Sequence, residues 1–196
     1  MEDDFERLIQ GLINDEVGIT SQFIGKELFR HLTCNLLALH QKNLMPIAAI
    51  GNTDTRVENQ KVRNDRIYWI DYHHHDPYEN EFLGRMEDFI GYLNLHCYAG
   101  IQTCEFHYAL YEPGSFYKKH RDQFRNDQSR LFSLITYLNE AWEEGDGGEL
   151  MIYQAQEAHK ITPTLGKTVF FRSNELEHEV LETHKPRLSL TGWLKR

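Results

Sequence analysis

The sequence predicts a mainly β protein with helices (α+β), in which a sheet sandwich or barrel is braced by N-terminal helices. Helical spacing of apolar residues is confined to the first half of the chain, and short β-rich segments separated by turn signals fill the second half. The length of 196 residues suits one domain with a real core. We therefore assign residues 1–196 to a single domain, with helical support in 1–96 and the β core in 97–196.

The first 45 residues are predicted to be helical. Gly11 and Gly18 bracket a predicted break, and Ser21 is a candidate cap for the following helix. In that helix, apolar residues recur at spacings of three and four and form one stripe. The stripe consists of Phe23, Ile24, Leu28, Leu32, Leu36 and Leu39.

Between residues 48 and 97 the pattern changes three times. The segment 51–65 is polar and rich in turn formers, which predicts a long mobile loop or a loose hairpin. "RIYWIDY" follows as a strand, and "EFLGRMEDFIGYLNLHC" returns to helical spacing.

From about residue 98 the chain is predicted to form short strands. Turn signals such as "EPG", "EEGDGG" and "TLGK" separate several of them. Side chains alternate along "RLSLTGW", so Arg187, Ser189, Thr191 and Trp193 share one face and the leucines take the other. The predicted strands are "CEFHYALYEP", "LFSLITYLN", "GELMIY", "KTVFFRS", "HEVLE" and "RLSLTGWLK".

Composition and charge narrow the classes of function. The formal net charge of -9 argues against nucleic-acid binding, which depends on Lys and Arg neutralising phosphates. Cys34, Cys97 and Cys104 match no zinc motif, so we expect reduced thiols in a cytoplasmic protein. The acidic N-terminus lacks the pattern of a secretory signal, and no apolar run predicts a membrane span. Monomer and weak dimer both stay open.

A candidate metal site begins at "KKHRDQF", where His120 and Asp122 share one face of an extended segment. Taken alone, such a pair is usually solvated surface. An iron site with two histidines and one carboxylate needs a second histidine, and His178, just before a β-like run, is the best candidate. Arg187 follows nine residues after His178 and could pair with a carboxylate in a pocket.

The pattern His120-x-Asp122, His178 and Arg187 resembles that of the iron(II)- and 2-oxoglutarate-dependent oxygenases. The similarity is closest to the oxygen-sensing prolyl hydroxylases and their bacterial relatives, and it covers roughly residues 55–196. Six segments of this chain resemble the strand sequences of that family and occur in the same order: "YWI", "YEPGSFYKKHRD", "ITYLNEAW", "GGELMIY", "FFRS" and "HEV".

The resemblance implies a double-stranded β-helix, a cupin-like jelly roll with iron at its open mouth. It assigns Fe(II) to His120, Asp122 and His178, and the distal carboxylate of 2-oxoglutarate to Arg187. Tyr111 and Ser189 would also contact the cosubstrate, and Thr136 stands where the family has a tyrosine that helps to bind it. Oxygen and ascorbate, the latter as reductant, complete the implied set of cofactors.

The resemblance also suggests how a substrate would bind. The loop 51–65 is either an ordinary surface loop or a lid that folds over a peptide. Arg63 and Asp65 would lie near the substrate, with Arg130 paired to Asp65 across the pocket. Tyr117 and Trp193 are core aromatics or contacts at the pocket mouth.

The function implied by the resemblance is hydroxylation of prolyl residues at the 4-position in a protein substrate, with a translation elongation factor as one candidate. The same chemistry on a free amino acid, another small molecule or another side chain is an alternative. A jelly-roll binding module without activity is the non-enzymatic alternative. The histidine cluster at residues 72–78 offers no third ligand, and we interpret it as a solvated loop.

Overall fold

The computed structural model describes residues 2–49, 59–123, 127–155 and 157–196. In this part of the chain, three α-helices precede most of ten β-strands. The helices are α1 (Glu2–Asp15), α2 (Lys26–Gln41) and α3 (Pro77–Cys97). The strands are β1 (Val17–Thr20), β2 (Arg66–Trp69), β3 (Thr103–Tyr111), β4 (Tyr117–His120), β5 (Arg130–Tyr137), β6 (Leu150–Tyr153), β7 (Ala158–Ile161), β8 (Thr168–Arg172), β9 (Glu177–Val180) and β10 (Arg187–Lys195).

The strands form two antiparallel sheets. The larger sheet has the order β1-β8-β5-β10-β3-β2, and the smaller one has the order β4-β9-β6-β7. Every strand pairing between described residues is antiparallel. This architecture confirms the predicted jelly roll braced by helices.

The larger sheet separates two apolar clusters. The outer cluster joins the three helices to the outer face of the sheet, through residues such as Leu188, Leu190 and Leu194 of β10. The inner cluster lies between the sheets and includes Ile135 and Val180. The alternation predicted for β10 is therefore confirmed, because its leucines pack outward while Arg187, Thr191 and Trp193 line an inner cavity.

The predicted helix α3 has clear physical ends. The Asp76 carboxylate accepts hydrogen bonds from the backbone N–H groups of Tyr78 (3.0 Å) and Glu79 (2.9 Å), and Pro77 occupies the first turn. At the other end, Tyr98 adopts a left-handed conformation with φ of 53° and stops the helix. Between these ends, α3 packs on the larger sheet, with Phe82 against Phe106 of β3 and Phe89 against Phe170 of β8.

The N-terminal prediction is partly wrong. Helix α1 continues through Gly11 to Asp15, and a strand, β1, follows it where we predicted helix. Gly18 permits this packing, because a Cβ there would lie 2.0 Å from the carbonyl oxygen of Leu8. Ser21 does not cap α2, which begins at Lys26 after Gly25 and has no side-chain cap.

The structure also describes the cysteines and the apolar character of the helices. All three cysteines are free. None of the helices in the described ranges combines the length and the apolar character needed to cross a bilayer.

Candidate metal centre

Two neighbouring strands of the smaller sheet bring the three predicted metal ligands together. His120 ends β4 and is paired in register with His178 of β9, while Asp122 follows two residues after His120. One donor atom of each residue lies within 4.8 Å of the other two. These three residues are the only such group among the described residues.

Hydrogen bonds orient each of the three ligands. Nδ1 of His120 lies 2.7 Å from the Lys118 carbonyl, and Nδ1 of His178 lies 3.3 Å from the Leu176 carbonyl. A carbonyl oxygen only accepts, so both rings carry their proton on Nδ1 and leave the Nε2 lone pair free. Each Nε2 lies 3.5 Å from the Asp122 carboxylate. Ser133 donates a hydrogen bond of 2.6 Å to Oδ2 of Asp122, which leaves Oδ1 available as a ligand.

Burial and charge keep His178 and Asp122 in the protonation states of metal ligands. Burial lowers the pKa of His178 to about 4, so this imidazole is neutral at pH 7. Burial by itself would raise the pKa of Asp122, but His178, His120 and the Ser133 hydroxyl outweigh it and lower the pKa below its ordinary value. Two imidazoles and one carboxylate on one side of a centre match an iron(II) site that keeps three positions open.

A buried cation lies in the same cavity. Arg187 is 2% exposed, and its Nε donates to the Gly148 carbonyl at 2.7 Å. No carboxylate of a described residue is within 4.0 Å of its guanidinium. A buried arginine without a counter-ion among the described residues favours an anionic ligand, which agrees with the prediction that Arg187 binds the distal carboxylate of 2-oxoglutarate.

Two tyrosines flank Arg187. Its guanidinium carbon lies 4.9 Å from the ring centroid of Tyr111 and 5.0 Å from that of Tyr137. The Tyr137 hydroxyl is buried and has no hydrogen-bond partner among the described residues. Such a hydroxyl matches a carboxylate oxygen, so the donors at this end of the cavity fit the cosubstrate. Ser189 lies on the same face of β10 as Arg187, and its hydroxyl is 3.2 Å from that of Thr191.

The structure corrects the position assigned to Thr136. Its hydroxyl is buried and lies 2.9 Å from the Thr168 hydroxyl, and Thr136 does not line the cavity. Alternation along β5 turns Ile135 and Tyr137 inward and Thr136 away from them. Tyr137, the next residue in the sequence, is the one beside Arg187.

A chain of contacts links the predicted substrate residues to the metal ligands. The guanidinium of Arg63 donates to both oxygens of Asp65, at 2.7 and 2.6 Å. The same group lies 4.3 Å from the ring centroid of Tyr117, which stacks on His120 at 3.6 Å. Arg63 and Tyr117 also form an isolated β-bridge. The C-terminal end of the predicted lid is therefore fixed to the strand that carries His120.

The predicted pairing of Arg130 with Asp65 is wrong. Asp65 is paired with Arg63, while Arg130 bonds to Glu105 at 2.9 Å. The guanidinium carbon of Arg130 also lies 3.3 Å from the ring centroid of Trp193. Because β5 and β3 flank β10, Arg130, Glu105 and Trp193 are close, and Arg130 supports the Trp193 wall of the cavity.

Several cavity residues were missed by the sequence analysis. Ser133, Tyr137, Trp69 and His107 were not assigned to the site, yet Ser133 bonds to a metal ligand and Trp69 and His107 line the cavity. Strand alternation could have identified three of them, since Ser133 and Tyr137 each lie two residues from Ile135 on β5, and His107 follows from Tyr111 on β3 by steps of two.

Two other predictions concern loops. Most of the predicted lid, residues 51–58, lies outside the described residues. The histidine cluster contains a short 3-10 helix, Tyr72–His74, in which His74 lies 2.9 Å from Glu79. The side chain of His73 is 92% exposed.

The fold and this site define a class of protein: a jelly-roll oxygenase that uses iron(II) and a keto acid. Residues 106–195 match the family model of the 2OG-Fe(II) oxygenase superfamily. A crystal structure of a Pseudomonas putida prolyl-4-hydroxylase is 32% identical, with a TM-score of 0.88 and 98% of each chain covered. The chain therefore belongs to the 2OG-Fe(II) oxygenase superfamily.

Two more distant structures share the fold. A prolyl hydroxylase from Trichoplax adhaerens, solved with a peptide of the hypoxia inducible factor oxygen degradation domain, is 23% identical with a TM-score of 0.83. It is covered over 90% of its length and matches 99% of this chain. A viral collagen prolyl hydroxylase from Paramecium Bursaria Chlorella virus-1 is 22% identical with a TM-score of 0.64, over 93% of this chain and 97% of its own.

Proposed function

We propose that this oxygenase hydroxylates prolyl residues, at the 4-position, in a protein substrate. The observation that carries the proposal is the buried His120, Asp122 and His178 group with Arg187 in the same cavity. The 32% identity to a bacterial prolyl-4-hydroxylase over almost the whole chain supports prolyl as the target residue. An aromatic cavity wall, formed by Trp69 and Trp193, suits the apolar ring of a prolyl residue.

The side chains of this cavity fall into two groups: one binds iron and 2-oxoglutarate, and the other excludes water. His120, Asp122 and His178 hold the iron, and Arg187 with the Tyr137 hydroxyl holds the distal carboxylate of 2-oxoglutarate. Tyr111, Ile135 and Val180 give the inner cavity apolar walls that exclude water. Iron(II) with bound 2-oxoglutarate supplies the chemistry, in which oxygen and the keto acid are consumed, succinate and carbon dioxide leave and a C–H bond becomes C–OH.

The first experiment tests the reaction. Purified protein with Fe(II), ascorbate and oxygen should convert 2-oxoglutarate to succinate, and Asp122→Ala should abolish this turnover because the only carboxylate ligand is lost. Glu177→Gln is a matched control, since this carboxylate is 44% exposed and pairs with Lys119 outside the cavity. Succinate formation by Asp122→Ala at the wild-type rate would overturn the assignment.

The second experiment tests the substrate class. The enzyme is incubated with a lysate from cells that lack it, and residues that gain one oxygen are mapped by mass spectrometry. Hydroxyproline in a protein supports the proposal, whereas oxidation of another side chain or of a small molecule replaces it. A translation elongation factor as the target, a cytoplasmic location and ascorbate as the physiological reductant are part of the same proposal.

A further inference from the structure

A histidine that is not a metal ligand forms part of the cavity wall. His107 of β3 is 2% exposed and lines the same cavity as the metal ligands. It lies between the two tryptophans, with ring-centroid distances of 4.9 Å to Trp69 and 5.5 Å to Trp193. The three side chains form a strip, here called the aromatic strip, across β2, β3 and β10.

The buried imidazole of His107 makes no hydrogen bond to a described residue. Its Nδ1 is buried without a hydrogen-bond partner, and Nε2 makes no hydrogen bond to a described residue either. Buried polar side chains almost always have partners, and an imidazole that packs only as a ring is replaceable by an apolar residue. An imidazole that lines a ligand cavity and has no hydrogen bond to a described residue is therefore available to a bound ligand.

The two ring nitrogens differ in what surrounds them. A proton on Nδ1 would create a buried N–H without an acceptor, which is rare in proteins. The proton therefore belongs on Nε2, and the ring of His107 then carries a donor in the cavity wall. A ligand that contacts His107 must therefore offer an acceptor oxygen.

We propose that His107 is a substrate-binding residue whose Nε2–H donates a hydrogen bond to a backbone carbonyl oxygen of the polypeptide, next to the prolyl residue. This inference rests on the proposed function. A prolyl residue has no backbone N–H, so a wall that recognises its backbone must offer donors to carbonyl groups. Aromatic surfaces with a few such donors are a recurring way to bind extended, proline-containing segments.

The first arm of the test determines the tautomer. Protein labelled with ¹⁵N-histidine and loaded with Zn(II) and 2-oxoglutarate is studied by NMR, and the His107 signals are assigned by their loss in His107→Gln. We expect the proton on Nε2 and a shift of that signal when a prolyl peptide from the lysate mapping is added. A proton on Nδ1, or no shift at saturating peptide, would overturn the proposal.

The second arm separates peptide binding from chemistry. His107→Leu should raise the KM for the peptide about tenfold, the equivalent of one lost hydrogen bond, while the KM for 2-oxoglutarate changes less than twofold. His107→Gln keeps an N–H donor and should recover most of the peptide affinity. His73→Leu makes the same change on an exposed turn and should leave both constants unchanged.

The outcomes are distinguishable. Equal peptide KM values for wild type and His107→Leu would remove His107 from the substrate site. A parallel loss for both cosubstrate and peptide, not recovered by His107→Gln, would make the role structural and also overturn the proposal. Failure of the proposed function looks different, since wild-type protein would then show no peptide-dependent succinate.

Discussion

At the scale of single residues, Arg187 is the side chain with the clearest ligand. Its Nε is bonded to the Gly148 carbonyl, and it has no acidic partner among the described residues. The remaining N–H groups form a planar fork that fits a carboxylate, which the single ammonium group of lysine cannot reproduce. Recognition of 2-oxoglutarate should therefore depend on the guanidinium as well as on the charge.

We predict that Arg187→Lys weakens the binding of 2-oxoglutarate by at least about tenfold, because a bidentate charged contact is lost. In the presence of Mn(II), 2-oxoglutarate at a hundred times its dissociation constant should raise the free energy of unfolding of the wild-type protein by about 2.7 kcal/mol. The variant should gain less at the same concentration in a urea titration. Arg172→Lys is the control, since this side chain is 51% exposed and pairs with Glu175. Equal stabilisation of both variants would contradict the role of Arg187.

His107 gives a prediction about pH. Burial, and then the charges of Arg63 and Arg130, lower the pKa of His107 to about 3, whereas the unfolded chain has an ordinary pKa of about 6.5. Between these values the unfolded state binds more protons, so stability falls as the pH decreases. From pH 7 to pH 5, wild type should lose about 2 kcal/mol relative to His107→Gln.

This difference is measured by urea unfolding of the two metal-free proteins across the pH range. Groups other than His107 affect both proteins alike, so they cancel in the comparison. Parallel curves between pH 5 and pH 7 would contradict the lowered pKa. The same measurement above pH 7 should give a constant difference, because His107 is then neutral in both states.

At the scale of secondary-structure elements, β10 supports the site because it is hydrogen-bonded on both sides, to β3 and β5. Gly192 lies in this strand where another backbone comes close. A Cβ at this position would lie 2.2 Å from the Glu105 carbonyl oxygen and 2.3 Å from the Phe106 ring. Neither group can move without disturbing the pairing of β10 with β3.

We predict that Gly192→Ala lowers the free energy of unfolding by about 3 kcal/mol, because a well-packed centre has no space for an added methyl group. Gly91→Ala is the matched control, since a methyl group added on this exposed face of α3 would have no neighbour within 4 Å. That control should gain up to about 1 kcal/mol from helix propensity. Urea midpoints measure both changes, and an unchanged midpoint for Gly192→Ala would contradict the steric argument.

Elements also show how far the sequence determines the site. The long alternating strands β3, β5 and β10 were predicted, as was α3, because their apolar period is clear. Strands β1, β4 and β7 are four residues long and lack such a pattern, so only their pairing with neighbours makes them strands. The offset between Thr136 and Tyr137 was readable from alternation, whereas the family resemblance indicated Thr136.

Other site contacts could not be read from the sequence. Arg130 pairs with Glu105 because β10 brings β5 and β3 to its two sides, and strand order is a property of the folded chain. The local motif was enough to select His120 and Asp122 as candidate metal ligands because they are neighbours, and the strand register brings His178 beside them. Local sequence patterns do not determine which of several distant acidic residues an arginine will pair with.

At the scale of the whole molecule, the larger sheet lies between the helical layer and the candidate active site. Its outer face packs on the helices, and its inner face, with the smaller sheet, encloses the cavity. The sequence predicted both layers in outline, since helices came first and strands later. Two consecutive residues of β8 lie on opposite faces of this sheet. Phe170 packs with Phe89 and Phe132 on the outer face, whereas Phe171 lies on the inner face, 4.9 Å from the ring of His178.

We predict that Phe170→Ala and Phe171→Ala each lower the free energy of unfolding by about 3 to 5 kcal/mol, because both rings are fully buried. Only Phe171→Ala should also weaken Mn(II) binding, by about tenfold or more, since the cavity it leaves frees the His178 ring. Urea unfolding and Mn(II) titration at low temperature, where both variants are folded, measure the two effects separately. Equal loss of metal affinity in both variants would show that the two faces of the sheet are coupled, and that the metal centre depends on the packing of the helices as much as on its own wall.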